Sequence, residues 1–456
     1  MELQEIIKSQ NEFFETGATR NPAIRIAALK KLYDNIVKNE SDIRKALYED
    51  LNKDALESMT MEIGITLSEI SYMLKNINKL SKPKRRMSPL SHMPSHLMEY
   101  CDPYGTVLII APWNFPFLLS ITPLIDAIAA GNTCIIKPSA KAPATKAIIK
   151  KLLDSSFPEN YVYTVEGGRE QNANLLDFKY DYIFFTGSKS FGREIMKKAS
   201  EHLCPITLEL GGKSPCIVDK SCNLEITAKR TVFGKLTNAG QVCVAPDYFL
   251  VHEDIVQDFI KTFIERTEEI YTKDPINCPY YPKIITEKDF NQVLGRIDKE
   301  KTIYGGKFNR ENLKIEPTII YPATLADKCM QEENFGPIVP IIPFSSYQDT
   351  LKIINAHPEP LALYVFAEDK NVVQYYMQRV RFGGGCINDT LMHVGTHKIG
   401  FGGVGQSGMG LYHGKYGFDT FTHRKGVVVS STRFDIPVRY VPNTKNKMRI
   451  IKRLMR

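Results

Sequence analysis

The stretch NAGQVCVAPDY, residues 238–248, contains a thiol that could serve as a nucleophile. Cys243 lies among small and polar residues, just after a segment at 222–237 whose pattern predicts a helix, so the thiol is expected in a loop. A cysteine thiolate can attack an electron-poor carbon and form a covalent intermediate. Free cysteines are also commonly buried as small apolar residues. Taken alone, the stretch leaves both interpretations of Cys243 open.

Four other polar residues follow short apolar runs that predict strands. Asn114 in APWNFP could donate a hydrogen bond to a developing oxyanion, or it could only shape a turn. Glu209 in LELGGKSP could act as a general base, because an apolar setting raises the pKa of a carboxylate, or it could be paired with a lysine or a helix N-terminus. Lys137 in KPSAKAP could bind ribose hydroxyls or phosphate, or be a solvated charge. Ser188 in FTGSKSFGR comes just before a predicted helix, whose free N–H groups suit an anion.

The elements that must position these residues form an α/β pattern. Residues 1–80 repeat apolar residues at the three- and four-residue steps of helices. Short β-branched runs then alternate with helix-like spans, in one series over 105–212 and a second over 213–390. Such alternation predicts parallel, doubly wound sheets, and ligands bind beyond the carboxyl ends of their strands. The candidate residues therefore fall at the edge where a ligand is expected.

Length, charge and cysteine usage restrict the class of protein. A chain of 456 residues exceeds one hydrophobic core, so two or three domains are expected. Nine irregularly spaced cysteines without a C-x-x-C pair disfavour zinc and disulfide frameworks and indicate a cytoplasmic protein. The N-terminus lacks the features of a signal peptide, and no apolar run approaches the roughly 18 residues that span a bilayer. The last twelve residues hold six Lys or Arg, which is most of the net charge of +8, so no nucleic-acid face is expected.

Seven stretches together resemble the aldehyde dehydrogenase superfamily. The PWNFPF form and the ending LYHGKYGFDTFTH are most similar to its class 3 branch. The resemblance implies an aldehyde dehydrogenase-like α/β fold, with two doubly wound parallel-sheet domains plus a small β oligomerisation element, and a homodimer. The stretches occur in the family's order between about residues 105 and 410: PWNFP, IIKPS, FFTGS, LELGGKSP, NAGQVCVAPDY, EENFGPIVP and FGGVGQSGMG.

Domain boundaries follow from the same resemblance. It implies an NAD(P)-binding domain at 1–82 and 105–210, a catalytic domain at 211–415, oligomerisation segments at 83–104 and 416–440, and a basic tail at 441–456.

The resemblance also implies NAD(P)-dependent oxidation of an aldehyde to a carboxylic acid. Cys243 would attack the aldehyde carbon to form a thiohemiacetal, and Asn114 with the backbone N–H of Cys243 would stabilise the oxyanion. Hydride transfer would leave a thioester, which a carboxylate-activated water hydrolyses. Glu209 matches the family's general base and is favoured. Glu333 in EENFGP matches a residue that contacts the nicotinamide ribose, and it is a second candidate for the base.

The resemblance assigns cofactor contacts to nine positions. Lys137 would bind the adenosine ribose, Ser188 the pyrophosphate, and Phe335 would pack near the nicotinamide ring. The full set is Trp113, Lys137, Ser139, Ala140, Gly187, Ser188, Gly192, Glu333 and Phe335.

One position departs from the class 3 pattern. Relatives usually carry an acidic residue three positions after the cofactor lysine, as in KPSE, whereas this chain has Ala140. A carboxylate there would bind the ribose hydroxyls and repel a 2′-phosphate. Without it, Lys137, Lys141 and Lys146 leave positive charge nearby. We therefore expect weaker discrimination between NAD and NADP, extending to NADP use.

The sequence also bears on the class of substrate and on competing functions. Phe115, Phe117 and Leu118 predict an apolar tunnel mouth, which favours medium- or long-chain aliphatic or aromatic aldehydes. A CoA-acylating dehydrogenase is an alternative, but such relatives generally lack the hydrolytic glutamate that Glu209 represents. A catalytically silent homologue would have lost the nucleophile or the oxyanion donor. A cysteine protease is disfavoured because no histidine is placed by motif to activate the thiol.

Two further features could bind a metal ion or a membrane. His393 and His397 in HVGTH have a spacing that could bind a metal on a helix, but the glycine argues against a helix and no third ligand is evident, so no metal is expected. Residues 445–456 could form a short basic amphipathic helix that contacts an anionic membrane surface, or a frayed tail in solution.

Overall fold

A computed structural model describes residues 2–455. Met1 and Arg456, at the outer ends of the predicted cofactor domain and basic tail, lie outside the described residues. The helices are α1 (Leu3–Glu15), α2 (Pro22–Lys38), α3 (Glu40–Leu51), α4 (Ala55–Ser58), α5 (Gly64–Leu80), α6 (Leu118–Ala130), α7 (Pro143–Ser156), α8 (Arg169–Leu175), α9 (Lys189–Glu201), α10 (Leu224–Leu236), α11 (Val256–Tyr271), α12 (Glu287–Leu294), α13 (Lys328–Gln331), α14 (Tyr347–Ala356), α15 (Lys370–Arg379), α16 (Gly414–Thr420) and α17 (Lys445–Leu454).

The strands alternate with these helices over most of the chain. They are β1 (Lys84–Arg86), β2 (His96–Pro103), β3 (Thr106–Ile110), β4 (Thr133–Lys137), β5 (Val162–Thr164), β6 (Tyr182–Gly187), β7 (Ile206–Leu210), β8 (Pro215–Val218), β9 (Tyr248–His252), β10 (Thr302–Tyr304), β11 (Phe308–Asn309), β12 (Lys314–Ile315), β13 (Thr318–Ile320), β14 (Ile338–Phe344), β15 (Ala362–Phe366), β16 (Gly384–Ile387), β17 (Gly408–Met409) and β18 (Thr422–Val429).

The first large sheet has the order β17-β7-β6-β3-β4-β5. Strands β3 to β7 are parallel, and β17 is antiparallel to β7 at the edge. Chain order reverses between β3 and β6, and a crevice opens at such a point beyond the carboxyl ends of the strands. Asn114 follows β3 and Ser188 follows β6, so this sheet places both residues at the crevice.

The second large sheet has the order β10-β13-β14-β9-β8-β15-β16. Its strands are parallel except β10, which is antiparallel to β13. The chain then returns to the first sheet, where Gly408 of β17 pairs with Glu209 of β7. The predicted α/β class with two parallel, helix-covered sheets is confirmed.

Alternation along each strand builds cores on both faces of the first sheet. Val107 and Ile109 of β3 point into the larger core, which continues into the second sheet. Leu108 and Ile110 point into a smaller core formed with α1 and α9. Because both faces of the sheet are buried, its strands are continuous apolar runs in the sequence. Such runs predict buried strands, so these strands could be predicted from the sequence.

A small antiparallel sheet, β1-β2-β18, stands apart from the other two. Strand β18 pairs with β2 of the same chain, from Thr422 opposite Pro103 to Val429 opposite His96. Within residues 2–455, no strand lies on the other side of β18. Val427, Val428 and Val429 of that strand are exposed.

The predicted helix in the basic tail is present as α17, whose N-cap Thr444 accepts a hydrogen bond from the backbone N–H of Lys447. Within residues 2–455, no helix combines the length and apolar character needed to cross a bilayer.

Candidate active site

One cavity of about 1000 Å³ is lined by all four residues predicted to be catalytic, Asn114, Glu209, Cys243 and Glu333. They come from four separate parts of the chain: the loop after β3, the carboxyl end of β7, the loop after α10, and the segment before β14. Strand ends thus bring together a thiol, an amide and two carboxylates.

The loop that carries the thiol has an unusual backbone. Asn238, Ala239 and Gly240 all have positive φ values, of 50°, 51° and 77°. A Cβ at Gly240 would lie 2.3 Å from the carbonyl oxygen of Gly336, so glycine is required there. Gln241 holds the turn, because its amide donates to the carbonyls of Asn238 and Lys283 at 3.0 Å each and accepts from the backbone N–H of Ile285 at 3.1 Å. The tight turn delivers Cys243 to the cavity.

Cys243 is half-buried and lines the cavity. Burial raises the pKa of its thiol well above the usual range, and the carboxylates of Glu333 and Glu209 add to the shift. The thiol is therefore protonated at neutral pH and must lose its proton to attack a carbonyl. Both nearby carboxylates are candidates to accept that proton.

Asn114 is 3% exposed and is held in one orientation. Its side-chain amide donates to the backbone oxygen of Gln241 at 3.0 Å. An asparagine amide has two N–H groups, so the second is free to donate into the cavity. This arrangement suits a donor for an oxyanion formed at Cys243.

Glu209 is the next-to-last residue of strand β7 and is 3% exposed. Among the described residues, neither of its carboxylate oxygens makes a hydrogen bond of good geometry, although the nearby backbone N–H of Gly403 favours the ionised form. Burial raises the pKa of this carboxyl well above its ordinary value. A buried carboxylate without a hydrogen bond of good geometry is a strong proton acceptor once ionised.

Glu333 occupies space that Gly211 leaves open. A Cβ at Gly211 would lie 2.0 Å from the Oε2 of Glu333. Burial and the negative charge of Asp247 raise the pKa of Glu333 to about 8. The buried pair of Lys213 and Asp247 anchors this segment, since Lys213 donates to the carbonyl of Glu332 at 2.9 Å.

Five of the nine predicted cofactor positions line the cavity. These five are Trp113, Gly187, Ser188, Glu333 and Phe335. The rings of Trp113 and Phe335 meet edge to face, with centroids 5.3 Å apart. Ser188 is the N-cap of α9. The free backbone N–H groups at the start of that helix therefore lie where an anion is expected. The other four, Lys137, Ser139, Ala140 and Gly192, do not line it.

Lys137, Ser139 and Ala140 lie at the carboxyl end of β4 and in the loop after it, and Gly192 lies in α9. Lys137 ends β4 and is 2% exposed, and its amine donates to the carbonyl of Pro138 at 2.9 Å. Burial, together with Lys146, lowers the pKa of Lys137 to about 8. Ser139 is half-buried and Ala140 is exposed. A Cβ at Gly192 would lie 2.7 Å from Leu210, so this glycine allows α9 to pack on β7.

The sequence predicts a free positive charge on Lys141 beside Ala140, but in the structure Lys141 is paired with a carboxylate. Its amine contacts both carboxylate oxygens of Asp289 at 2.8 Å, and it lies 5.1 Å from the centroid of the Trp113 ring. Asp289 largely neutralises that charge, so Lys146 and Lys137 are the remaining cations near position 140. The sequence did not reveal this pair because its members are 148 positions apart.

The residues near the crevice fit a nicotinamide dinucleotide. Lys137 has a buried amine with one hydrogen-bond partner among the described residues, which leaves two of its protons for ribose hydroxyls. The reversal of strand order between β3 and β6 is where dinucleotides bind in related sheets.

The other end of the cavity is apolar, and its walls combine predicted and unpredicted residues. Phe115 and Leu118 line it as predicted, but Phe117 does not, because its side chain is fully buried in the core. The sequence missed Phe401 and Tyr412, which come from the glycine-rich segment after the second sheet. It also missed Met61, from the turn just before α5, and Ile65, from the start of α5.

His393 and His397 lie in turns rather than on a helix, as predicted. Burial lowers the pKa of His393 to about 4. His397 contacts the ring of Tyr72, with centroids 4.5 Å apart. Among residues 2–455, no group of three His, Cys, Asp or Glu side chains is arranged to hold a metal ion.

Comparison with known proteins identifies the family of the chain. Residues 1–427 match the aldehyde dehydrogenase family. The chain is 45% identical over 442 residues to 4,4′-diaponeurosporen-aldehyde dehydrogenase of Staphylococcus aureus, across 96% of each protein. It is 39% identical over 459 residues to aldehyde dehydrogenase family 3 member H1 of Arabidopsis thaliana, covering 100% of this chain and 95% of that protein.

Solved structures agree as well. One described as the substrate-bound state of Staphylococcus aureus AldH has a TM-score of 0.97 and 43% identity, and the alignment covers 100% of both chains. Relatives of the family 3 type extend over nearly the whole sequence. The chain therefore belongs to the aldehyde dehydrogenase family of oxidoreductases and is class 3-like.

Proposed function

We propose that this chain oxidises extended apolar aldehydes to carboxylic acids through a covalent intermediate on Cys243, with NAD or NADP as the hydride acceptor. The observation that carries the proposal is the meeting of Cys243, Asn114, Glu209 and Glu333 in one cavity. A thiol, an amide donor and a water-activating carboxylate are the groups that thiohemiacetal formation and thioester hydrolysis require.

In the proposed mechanism the chain first generates and uses a thiolate. A nearby carboxylate accepts the Cys243 proton, and the sulfur adds to the aldehyde carbon. The free N–H of Asn114 and the backbone N–H of Cys243 donate to the resulting oxyanion. A bound nicotinamide cofactor supplies the acceptor for the hydride. Trp113, Lys137, Ser188, Glu333 and Phe335 would hold that cofactor.

Thioester hydrolysis needs a base, and Glu209 is proposed for that role. Its oxygens make no hydrogen bond of good geometry among the described residues, so they are available to orient and deprotonate water. Glu333 is proposed mainly to contact the cofactor ribose. The presence of Glu209 weighs against the CoA-acylating alternative, in which CoA rather than water takes the acyl group.

The substrate proposal rests on the apolar wall of the cavity. Phe115, Leu118, Met61, Phe401 and Tyr412 offer few groups that could recognise a polar substrate. The Staphylococcus aureus relative is named for 4,4′-diaponeurosporen-aldehyde, a carotenoid-like aldehyde, and this supports an elongated apolar substrate.

Assembly and location are also proposed. The unpaired edge of β18, with three exposed valines, supports a homodimer in which this edge meets the partner subunit. All nine cysteines are free, which supports a reducing, cytoplasmic compartment. On α17, Met448, Ile450 and Leu454 are exposed among lysines and arginines, which supports peripheral contact with anionic membranes.

A steady-state screen tests the main proposal. Aldehydes of increasing chain length are assayed with NAD and with NADP, without CoA, and Cys243→Ala serves as the blank. The proposal requires stoichiometric carboxylic acid and a kcat/KM that increases with chain length. Activity that depends on added CoA would identify the acylating alternative instead.

A further inference from the structure

Two fully buried side chains outside the predicted catalytic set lie directly behind Asn114. Lys53 follows α3, and Glu62 lies in a π-helical turn, Met59–Ile63, between α4 and α5. Their side chains are 0% exposed and form an ion pair of 2.6 Å. Neither residue lines the cavity.

The pair contacts the Asn114 loop at three backbone positions. Lys53 donates to the carbonyl oxygen of Asn114 at 2.8 Å, and its amine lies 3.9 Å from the centroid of the Phe115 ring. The second carboxylate oxygen of Glu62 accepts from the backbone N–H groups of Phe117 at 2.9 Å and Leu118 at 3.1 Å. The loop between β3 and α6 is therefore fixed at Asn114 itself and at the start of α6.

The same carbonyl connects Asn114 to the thiol loop. The side-chain amide of Asn238 donates to the Asn114 oxygen at 2.8 Å, so this oxygen accepts two hydrogen bonds. Glu57, in the short helix α4, accepts from the backbone N–H of Asn238 at 2.8 Å. Residues 53–62 therefore brace both the loop of the amide donor and the loop of the nucleophile.

The π-helical turn is what brings Glu62 to this position. The backbone N–H of Gly64 closes the turn on the carbonyl of Met59. A Cβ at Gly64 would lie 2.7 Å from that oxygen, so glycine is needed for the turn. Turns of this type add a residue to a helix and are frequent at functional sites.

Stability alone does not account for such a pair. A buried ion pair contributes little net stability, because desolvation offsets the attraction, and well-packed apolar residues often serve as well. Its charges do provide directional hydrogen bonds that apolar residues cannot. We propose that Lys53 and Glu62 are positioning residues that hold Asn114 where its free N–H meets the oxyanion.

This inference rests on the proposed function of Asn114 as a donor to the oxyanion. A double-mutant cycle distinguishes failure of the positioning role from failure of that proposed function. The variants are Lys53→Met with Glu62→Gln, Asn114→Ala, and all three together. A displacement of about 1 Å at a reacting group can cost about 100-fold in rate, so we expect kcat to fall by about 10- to 100-fold in the pair variant. The KM for aldehyde and the Kd for the cofactor should change little. In the Asn114→Ala background the pair variant should lower kcat by no more than about 2-fold.

Arg25→Met is the matched control. Arg25 is a buried cation that donates to the carbonyl of Ala129 at 2.7 Å, near the far end of the same helix α6. The Arg25→Met substitution should lower the Tm of the protein without lowering kcat. If the pair variant does not fold, Glu62→Gln alone preserves the shape of the side chain and should still lower kcat by about 3-fold or more only when Asn114 is present.

Three outcomes have distinct meanings. An unchanged kcat in the pair variant overturns the positioning role. An equal loss in the presence and absence of Asn114 also overturns it, because the effect would then reach the site by another route. Full activity in Asn114→Ala contradicts the proposed function itself.

Discussion

Gly211 leaves open the space that the carboxylate of Glu333 occupies. A Cβ at position 211 would lie 2.0 Å from the Oε2 of Glu333. Gly211 directly follows β7, the strand that contains Glu209. The positions of the two carboxylates in the cavity therefore both depend on the end of β7. Glu209 lies in that strand, and the carboxylate of Glu333 fits next to it only because residue 211 has no side chain.

This relationship predicts the effect of Gly211→Ala. The added methyl group cannot coexist with the observed Glu333 side chain, so the carboxylate must move. We expect kcat to fall by about 10-fold or more and the Kd for the cofactor to rise, because a displacement of about 1 Å is costly at a reacting centre. Steady-state kinetics and fluorescence titration with the cofactor measure both. Gly426→Ala is the control, since nothing lies within 4 Å of its Cβ. Equal behaviour of the two variants would contradict the prediction.

The raised pKa values of the carboxylates predict the pH dependence of turnover. A base acts only when deprotonated, and burial raises the pKa of Glu333 to about 8 and that of Glu209 well above its ordinary value. Because Glu209 is the proposed base, turnover should rise as the pH increases through its raised pKa and be lost as the pH falls below that pKa, whereas ionisation of Glu333 near pH 8 should change cofactor binding.

Two substitutions identify the base. Glu209→Gln should lower steady-state kcat by about 100-fold or more, yet still release a burst of one reduced cofactor per site as the thioester accumulates. Glu333→Gln should weaken cofactor binding and retain hydrolysis. If Glu333→Gln gave the burst and Glu209→Gln turned over normally, the roles would be reversed.

The strands and the residues at their ends were predictable because both depend on local sequence. Asn114 and Glu209 each follow a buried apolar run, and Cys243 follows a helical segment. Parallel strands buried on both faces give strong signals of this kind.

Other parts of the site depend on contacts between distant positions, which one sequence does not reveal. Lys53 and Asn114 are 61 positions apart, and Lys141 and Asp289 are 148 apart. The antiparallel strand β17, which covers Glu209, has only two residues and no apolar run. Phe117 looked equivalent to Phe115, but the start of α6 turns it into the core.

The pKa of Cys243 predicts how alkylating reagents will react. Because burial raises the pKa of the thiol, the free enzyme should be modified slowly by iodoacetamide at neutral pH. The rate should increase by about tenfold per pH unit, in proportion to the thiolate. Mass spectrometry of the peptide that contains Cys243 measures the rate, and half-buried Cys222 provides an internal comparison. A fast, pH-independent reaction below neutral pH would show that the resting thiol is already ionised.

Cofactor preference should respond to position 140. Ala140→Glu places a carboxylate near Lys137, the lysine proposed to bind the cofactor, so the ratio of kcat/KM for NAD over NADP should rise by about 10-fold or more through repulsion of the 2′-phosphate. Ala147→Glu adds the same charge at an exposed position of α7 and should leave the ratio almost unchanged. A wild-type preference for NAD of about 100-fold or more would contradict relaxed discrimination, since it corresponds to nearly 3 kcal/mol.

The tail helix predicts binding to anionic membranes. In residues 433–455 there are seven Lys or Arg and one acid, and Phe434, Val441 and Met455 are more than two-thirds exposed. The full chain should co-sediment with vesicles of phosphatidylcholine and phosphatidylglycerol, while a 1–440 truncation should remain in the supernatant. Ile450→Gln with Leu454→Gln should reduce binding without changing charge, because each buried apolar side chain contributes about 1.5–3 kcal/mol. Salt should weaken the remaining attraction, and vesicles of phosphatidylcholine alone should bind little. Equal partitioning of the full chain and the truncation would exclude a membrane role for α17, and aldehydes would then have to reach the cavity from solution.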